Sequence, residues 1–448
     1  MNLRKEYRMS NPAQNVKWLE GELNRWVSEG IIDGTRAESI RQLYPSRPAA
    51  RPWAIIVFSG LGAGIISLGI ILLFAYNWHQ IPKLGKLGIV FGSLAISHAI
   101  GIILFFYTVR FRAIGEALNV LGSMLFGAGI WLVAQIYHIS EHYPTAFVFW
   151  GLGAFVLAWS MPSVVQAIMA AVLFTIWAVS ESTEFGRAMY LAIPAIILLW
   201  PIAHQKRSCV LLAVLVLALG VSAGFVTGAI SDGHFVINAL FSIAALYVAL
   251  GLLARQSAEF PQSGLIYHFF GLVSYIVMLY LMTFPGMAKE TYSHEHFNPA
   301  AIACGLVPFI IALAAWFPVG RSFLPSKTGS RPDYYHYELL FIPLTLILFY
   351  SSAFFPTDLE FWQITVPANF VFLALSLVMM ARGCRGGNLW ATISGSLMLV
   401  ALTLARFDDL VKSLAVRGFV FIVLGAIIFA EGFFYIRFKK KRASEVSK

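Results

Sequence analysis

Charge is scarce in this chain of 448 residues: Asp, Glu, Lys and Arg together make up 12% of it, about half the share expected of a soluble protein. Cysteine is scarcer still. Cys209, Cys304 and Cys384 are the three present, at unrelated spacing in or beside apolar runs, which argues for buried thiols rather than a disulfide framework or a metal site. The phosphate-cradling Walker loop is missing, as are the G-x-G-x-x-G fingerprint and H-E-x-x-H. Without them an ATP-driven pump within this single chain loses its sequence basis. No cofactor, metal or catalytic residue is expected. No signal peptide is expected either: the first 50 residues are polar, carry Arg4, Lys5, Arg8, Lys17 and Arg25 among others, and the first apolar run starts near Ala54.

What fills the chain instead is apolar. Hydrophobic residues reach 59% and are gathered in runs of about 20, the length a helix needs to cross a bilayer. Lipid offers no partner to an open strand, and the runs lack the alternation of a barrel. The fold class expected is all-α: a polytopic transmembrane bundle of about 14 spans behind a short cytoplasmic N-terminal helical hairpin. The runs begin near residues 54, 87, 114, 145, 163, 189, 208, 235, 264, 299, 338, 365, 388 and 413. Each span with its loop then takes about 27 residues, so no loop holds a soluble domain. The runs at 145 and 163 are joined only through Met161 and Pro162, as in a tight hairpin or a re-entrant pair.

Three segments follow: 1–52 as the N-terminal hairpin, 53–436 as the membrane domain and 437–448 as a basic tail. The net charge of +10 is explained by basic residues kept at the cytoplasmic face, not by nucleic acid. Both termini are basic, and an even span count puts both on the cytoplasmic side of the membrane. The tail RFKKKR meets anionic headgroups there. In the N-terminal hairpin, Trp18, Leu19, Leu23 and Val27 recur at helical spacing up to Gly30, and Thr35 with Glu38 reads as the capping box of a second helix.

Polar residues within apolar runs carry the functional reading, because an intramembrane charge costs about 2.5–3.5 kcal/mol and faces protein or water. His98 falls near the middle of the second run, Glu116 near the inner end of the third, Glu431 near the inner end of the last. On the third run Glu116, Asn119, Ser123, Gly127, Ala134 and His138 share one stripe about 100° wide. That stripe is a helix-packing face or the wall of a cavity leading from Glu116 to His138. His98 and Glu116 are the candidate proton-handling groups. The ligand-binding candidates gather at the outer face: Asn77 and Trp78, with His79, end the first run, and Gln135, Tyr137 and His138 end the third, followed by Glu141 and His142. Arg406, Asp408, Asp409 and Arg417 join the last two runs. Trp78 and Tyr137 also fit plain interface anchors, and the two arginines offer bidentate donors to a phosphate or carboxylate. His294, Glu295 and His296 read as a solvated loop. Gly60 with Gly64 and Gly220 with Gly224 read as sites of close helix packing.

Residues 15–180 resemble a family of bacterial predicted inner-membrane proteins known as domain of unknown function 2157. The likeness rests on Trp26, Gly30 and Ile32, on Asn77 and Trp78, on Trp150, and most clearly on the glutamine-tyrosine-histidine ending at Gln135, Tyr137 and His138. It implies class and location, not a reaction. Three functions remain open: a transporter or flippase-like protein for an anionic solute or lipid; a structural or assembly partner of an envelope complex or of a second copy; and an integral membrane enzyme on a lipid-linked substrate, against which the short outer loops speak.

Overall fold

The computed structural model describes residues 12–43, 81–138, 142–255, 259–292, 299–323, 336–354 and 362–405, with a few isolated positions beyond 420. The chain divides into two compact units, residues 1–86 and 87–448. The expected first and last spans lie outside the described residues, with Asn77, Trp78, His79, Gly60, Gly64, Glu141, Arg406, Asp408, Asp409, Arg417 and Glu431 in them or beside them. So do His294, Glu295, His296 and the RFKKKR tail apart from Arg437.

In the first unit α1 (Pro12–Ser28) and α2 (Gly34–Leu43) form the hairpin that the periodicity predicts. Leu23 and Ala37 are its buried residues, whereas Val27 is exposed. Gly30 takes φ +75° at the turn, a conformation that costs a glycine little. The cap of α2 differs from the capping box expected at Thr35 and Glu38. Asp33 Oδ1 accepts from the Arg36 backbone N–H and from the Thr35 hydroxyl, each at 2.8 Å. Glu38 pairs instead with Arg41 at 2.9 Å. Those two bonds hold the Asp33 carboxyl below its ordinary pKa, the Arg36 amide contributing most.

The rest is helical throughout. In order come α3 (Lys83–Tyr107), α4 (Arg112–Tyr137), α5 (Pro144–Ser160), α6 (Val164–Glu184), α7 (Ala192–Ile197), α8 (Trp200–Gln205), α9 (Cys209–Ser231) and α10 (Val236–Ala254). They are followed by α11 (Pro261–Met282), α12 (Pro285–Tyr292), α13 (Pro299–Phe323), α14 (His336–Phe354), α15 (Trp362–Gly386) and α16 (Leu389–Ala405). Among the described residues eight helices are long and apolar enough to cross a membrane, and four apolar segments are shorter: α5, α7–α8, the middle of α14, and α16. The chain is therefore a polytopic, multi-pass membrane protein of all-α fold.

The α5–α6 pair is a hairpin closed at Met161–Ser163, where Ser163 Oγ accepts from the Gln166 N–H and caps α6. The run expected at 189 is not one helix. Pro201, lacking an N–H, divides it into α7 and α8, about 21 Å together at about 1.5 Å per residue. That broken segment nevertheless carries the chain back between two parallel helices: Ser222 of α9 donates to Thr175 of α6, and the C-terminal ends of both helices line one groove.

Helix α10 is the axis of the bundle. Its residues take part in two apolar cores, one shared with α5–α9 and one with α13–α16. Polar groups along it are bonded between helices: the Ser242 and Tyr350 hydroxyls are 2.8 Å apart, and Trp316 Nε1 donates to the Ala245 carbonyl at 3.0 Å. Without water inside the layer such bonds have no replacement, which fixes helix register.

Candidate functional site

The residues of the polar stripe on α4 diverge in what they touch. Three glycines bring α3 and α4 together. A Cβ on Gly115 would lie 2.6 Å from the Phe105 nitrogen, one on Gly101 2.6 Å from Asn119 Nδ2, and one on Gly122 2.6 Å from the His98 ring. At this crossing His98 and Asn119 meet, their Nδ1 and Oδ1 atoms 3.0 Å apart. Asn119 Nδ2 donates to the Gly115 carbonyl at 2.9 Å, so its Oδ1 is the acceptor and His98 Nδ1 carries the hydrogen. In the neutral ring that leaves Nε2 as an acceptor.

The α5–α6 hairpin closes the other side. Gln166, 1% exposed, donates from Nε2 to the Asn119 carbonyl at 3.1 Å and to Ser123 Oγ at 2.9 Å. A carbonyl only accepts, so this orientation of the amide is fixed by its partner. Gln166 Oε1 then points nowhere useful: it is buried and has no protein donor among the described residues. One turn toward the start of α4, Ser163 donates to Glu116 Oε1 at 2.6 Å. His98, Glu116, Asn119, Ser123, Ser163 and Gln166 thus form two adjoining bonded groups on α3, α4 and α6, extending about 10 Å along α4 at about 1.5 Å per residue.

The stripe does not continue as a cavity to His138. The Trp150 ring of α5 lies directly against Gly127 and leaves no room for a side chain there. The middle of the stripe is a packing face, and its far end a separate site. Gln135, Tyr137 and His138 are exposed. His138 ends α4 in the left-handed region, φ 55°, its N–H donating to the Ala134 carbonyl.

Beside that end His142, which the sequence placed in the outer polar gathering, meets partners the sequence did not single out. His142 Nε2 and Glu181 Oε1 are 2.5 Å apart, and Trp177 Nε1 donates to the same oxygen at 3.3 Å. Glu181 is 3% exposed, with Oε2 buried and lacking a protein partner among the described residues. Tyr143 donates to the Glu184 carboxylate, whose proximity pushes the Tyr143 phenol above its ordinary pKa. His142 and Tyr143 also face a cavity of about 510 Å³ shared with Phe91, Trp131 and Phe149. Glu181 and Glu184 close an apolar run three residues apart, and that spacing was the signal available in the sequence. Gln166 and Ser163 gave none, because a serine before a helix and a glutamine in its first turn are ordinary capping residues. Among the described residues no group of three His, Cys, Asp or Glu is placed to hold a metal ion.

Residues 24–167 match the family described as "Predicted membrane protein (DUF2157)". The matched stretch takes in α2 to α5 and the Ser163–Gln166 turn, and so the whole of the His98–Gln166 arrangement. No curated protein and no solved structure matches the chain.

Proposed function

We propose that this protein is a proton-handling transporter or flippase-like protein, with the α3–α4–α6 polar core as its working part. The observation that carries the reading is Gln166 Oε1. A network that served packing alone would gain by satisfying every buried acceptor, since each one left unmet costs about 1–3 kcal/mol. Here the unmet oxygen lies in a network flanked by two titratable groups, His98 and Glu116. A proton, a water or a polar solute group entering between them finds an acceptor at Gln166 and another at His98 Nε2. Intramembrane ionisable residues of this kind commonly mark such paths.

In this reading the chain crosses a bacterial inner membrane about fourteen times with both termini cytoplasmic. The N-terminal hairpin and the basic tail then face anionic headgroups. The outer-face candidates, Asn77, Trp78, Gln135, Tyr137, His138, Arg406, Asp408, Asp409 and Arg417, form the opposite mouth and meet an anionic solute or headgroup.

The test is flux. The full chain is reconstituted in vesicles holding a pH-sensitive dye, and a potential is imposed with and without added anions. The expected result is lumenal pH change that Glu116→Gln and His98→Gln abolish at unchanged reconstitution. Absence of flux in the wild type under every condition, with both variants impaired only in stability, would leave the network as helix packing and favour the assembly-partner role.

A further inference from the structure

Gly220, Gly224 and Gly228 recur every fourth residue on α9, the pattern by which helices usually approach closely. Here they do not. A Cβ on Gly220 would meet nothing within 4 Å, one on Gly224 would touch only the Leu240 side chain, at 3.5 Å, and one on Gly228 only Val236, at 3.4 Å. The close packing expected at Gly220 and Gly224 is replaced by a groove of about 710 Å³ between α9, α10 and α11. That is within the range of small-molecule sites, about 300–1,000 Å³.

Shape and chemistry narrow the occupant. The groove follows α9 from Asp232 to Val216, about 24 Å at about 1.5 Å per residue, most of the depth of a bilayer's hydrocarbon core. Along that length the walls are mostly alkyl and aromatic, from Val236 and Leu240 to Phe270, with Ser274 among them. The hydroxyl of Tyr247 is spent on the Val216 carbonyl at 3.0 Å, so only its ring is offered. The other end is polar. Asp232, exposed at the end of α9, lines it there, and Ser182 also belongs to its wall. A carboxylate at that mouth suits a head that carries an amine and disfavours one that is purely anionic.

We infer that this groove holds an acyl chain of a membrane phospholipid with an ethanolamine head, its chain along Gly220–Gly228 and its amine at Asp232. The site is separate from the α3–α4–α6 core and stands whether or not that core moves protons.

The test uses the full chain in vesicles containing phosphatidylethanolamine with a photoreactive diazirine in its acyl chain. After irradiation, labelled peptides are mapped. Labelling should concentrate on α9 between Leu217 and Gly228 and on α11 between Phe270 and Met278, and fall to background in Gly220→Leu, whose side chain enters the open space. Should that variant not fold, Leu217→Trp closes the same groove from an exposed position. Asp232→Asn should remove the preference for this probe over its phosphatidylglycerol analogue. Labelling spread evenly over all lipid-facing helices and unchanged by either groove variant would overturn the proposal. So would crosslinks joining two copies through α9, which would give the groove to a second chain. Equal labelling of the wild type by the two probes would overturn the assignment of the head.

Discussion

The imidazole of His142 and the carboxylate of Glu181 lie 2.5 Å apart across 39 residues of sequence, tying the start of α5 to the last turn of α6. Glu181 is nearly inaccessible while His142 stays partly open, so the carboxylate is held from the protein side and reached through the histidine. Replacing it by alanine leaves His142 and Trp177 without their shared acceptor. Glu181→Ala should destabilise the protein by about 1–3 kcal/mol, and Glu181→Gln, which keeps an acceptor oxygen, by less. Thermal unfolding of the detergent-purified variants checks the order; equal loss in both would show that charge rather than hydrogen bonding holds the pair.

The glycines of α3 and α4 predict a contrast with those of α9. A Cβ at Gly115 would press on the backbone nitrogen of Phe105 and the carbonyl of Gly101, atoms that cannot move without parting the helices. Gly115→Ala should cost about 1–3 kcal/mol, as overpacking does. Gly220→Ala meets open space and should be neutral or stabilising by up to about 1 kcal/mol, from helix propensity. The same unfolding measurement on both variants suffices, and similar losses would refute the distinction.

Ser163 has two partners, the amide of Gln166 that it caps and the carboxylate of Glu116. Ser163→Ala removes both and should cost about 0.5–2 kcal/mol, the usual range for a lost helix cap. Glu116→Gln retains an acceptor for the serine and should cost less, while losing the proposed proton exchange. A Glu116→Gln protein less stable than Ser163→Ala would place the importance of Glu116 in packing.

The cap at Asp33 gives a pH dependence with a definite sign. Its folded carboxyl titrates below the ordinary value, so the unfolded hairpin binds the proton more readily. Stabilisation of α2 is therefore present above the ordinary carboxylate range and lost as pH falls through the lower, folded value. Carboxyl carbon shifts of Asp33 should show a depressed titration midpoint, and Asp33→Ala should weaken exchange protection over residues 34–43 at neutral pH. A midpoint at or above the ordinary value would contradict the cap.

The helical class and most of the element positions were legible because hydropathy is local: a run of twenty apolar residues in lipid has one way to satisfy its backbone. His98 and Glu116 stood out for the same reason, as costly residues in apolar runs. Their partners did not. Gln166 and Ser163 look like ordinary capping residues until α6 is laid against α4, and His142 is one more residue of the outer polar gathering until Glu181 arrives beside it. The G-x-x-x-G pattern misled at Gly220 and Gly224 because a small-residue face allows close approach without requiring it. Among the described residues, no helix backbone comes near enough to α9 to use that face. The Thr35–Glu38 capping box misled in a similar way, since Asp33, one residue ahead of α2, reached the free amide first.

By itself the sequence determined a multi-pass helical membrane protein and which residues are expensive to keep inside it, since burial cost depends on residue type and run length. Only the tertiary structure decided which of those residues meet, that the α4 stripe is cut by Trp150, and that α9 faces a groove. These depend on distances between segments tens of residues apart, on which local hydropathy has no bearing.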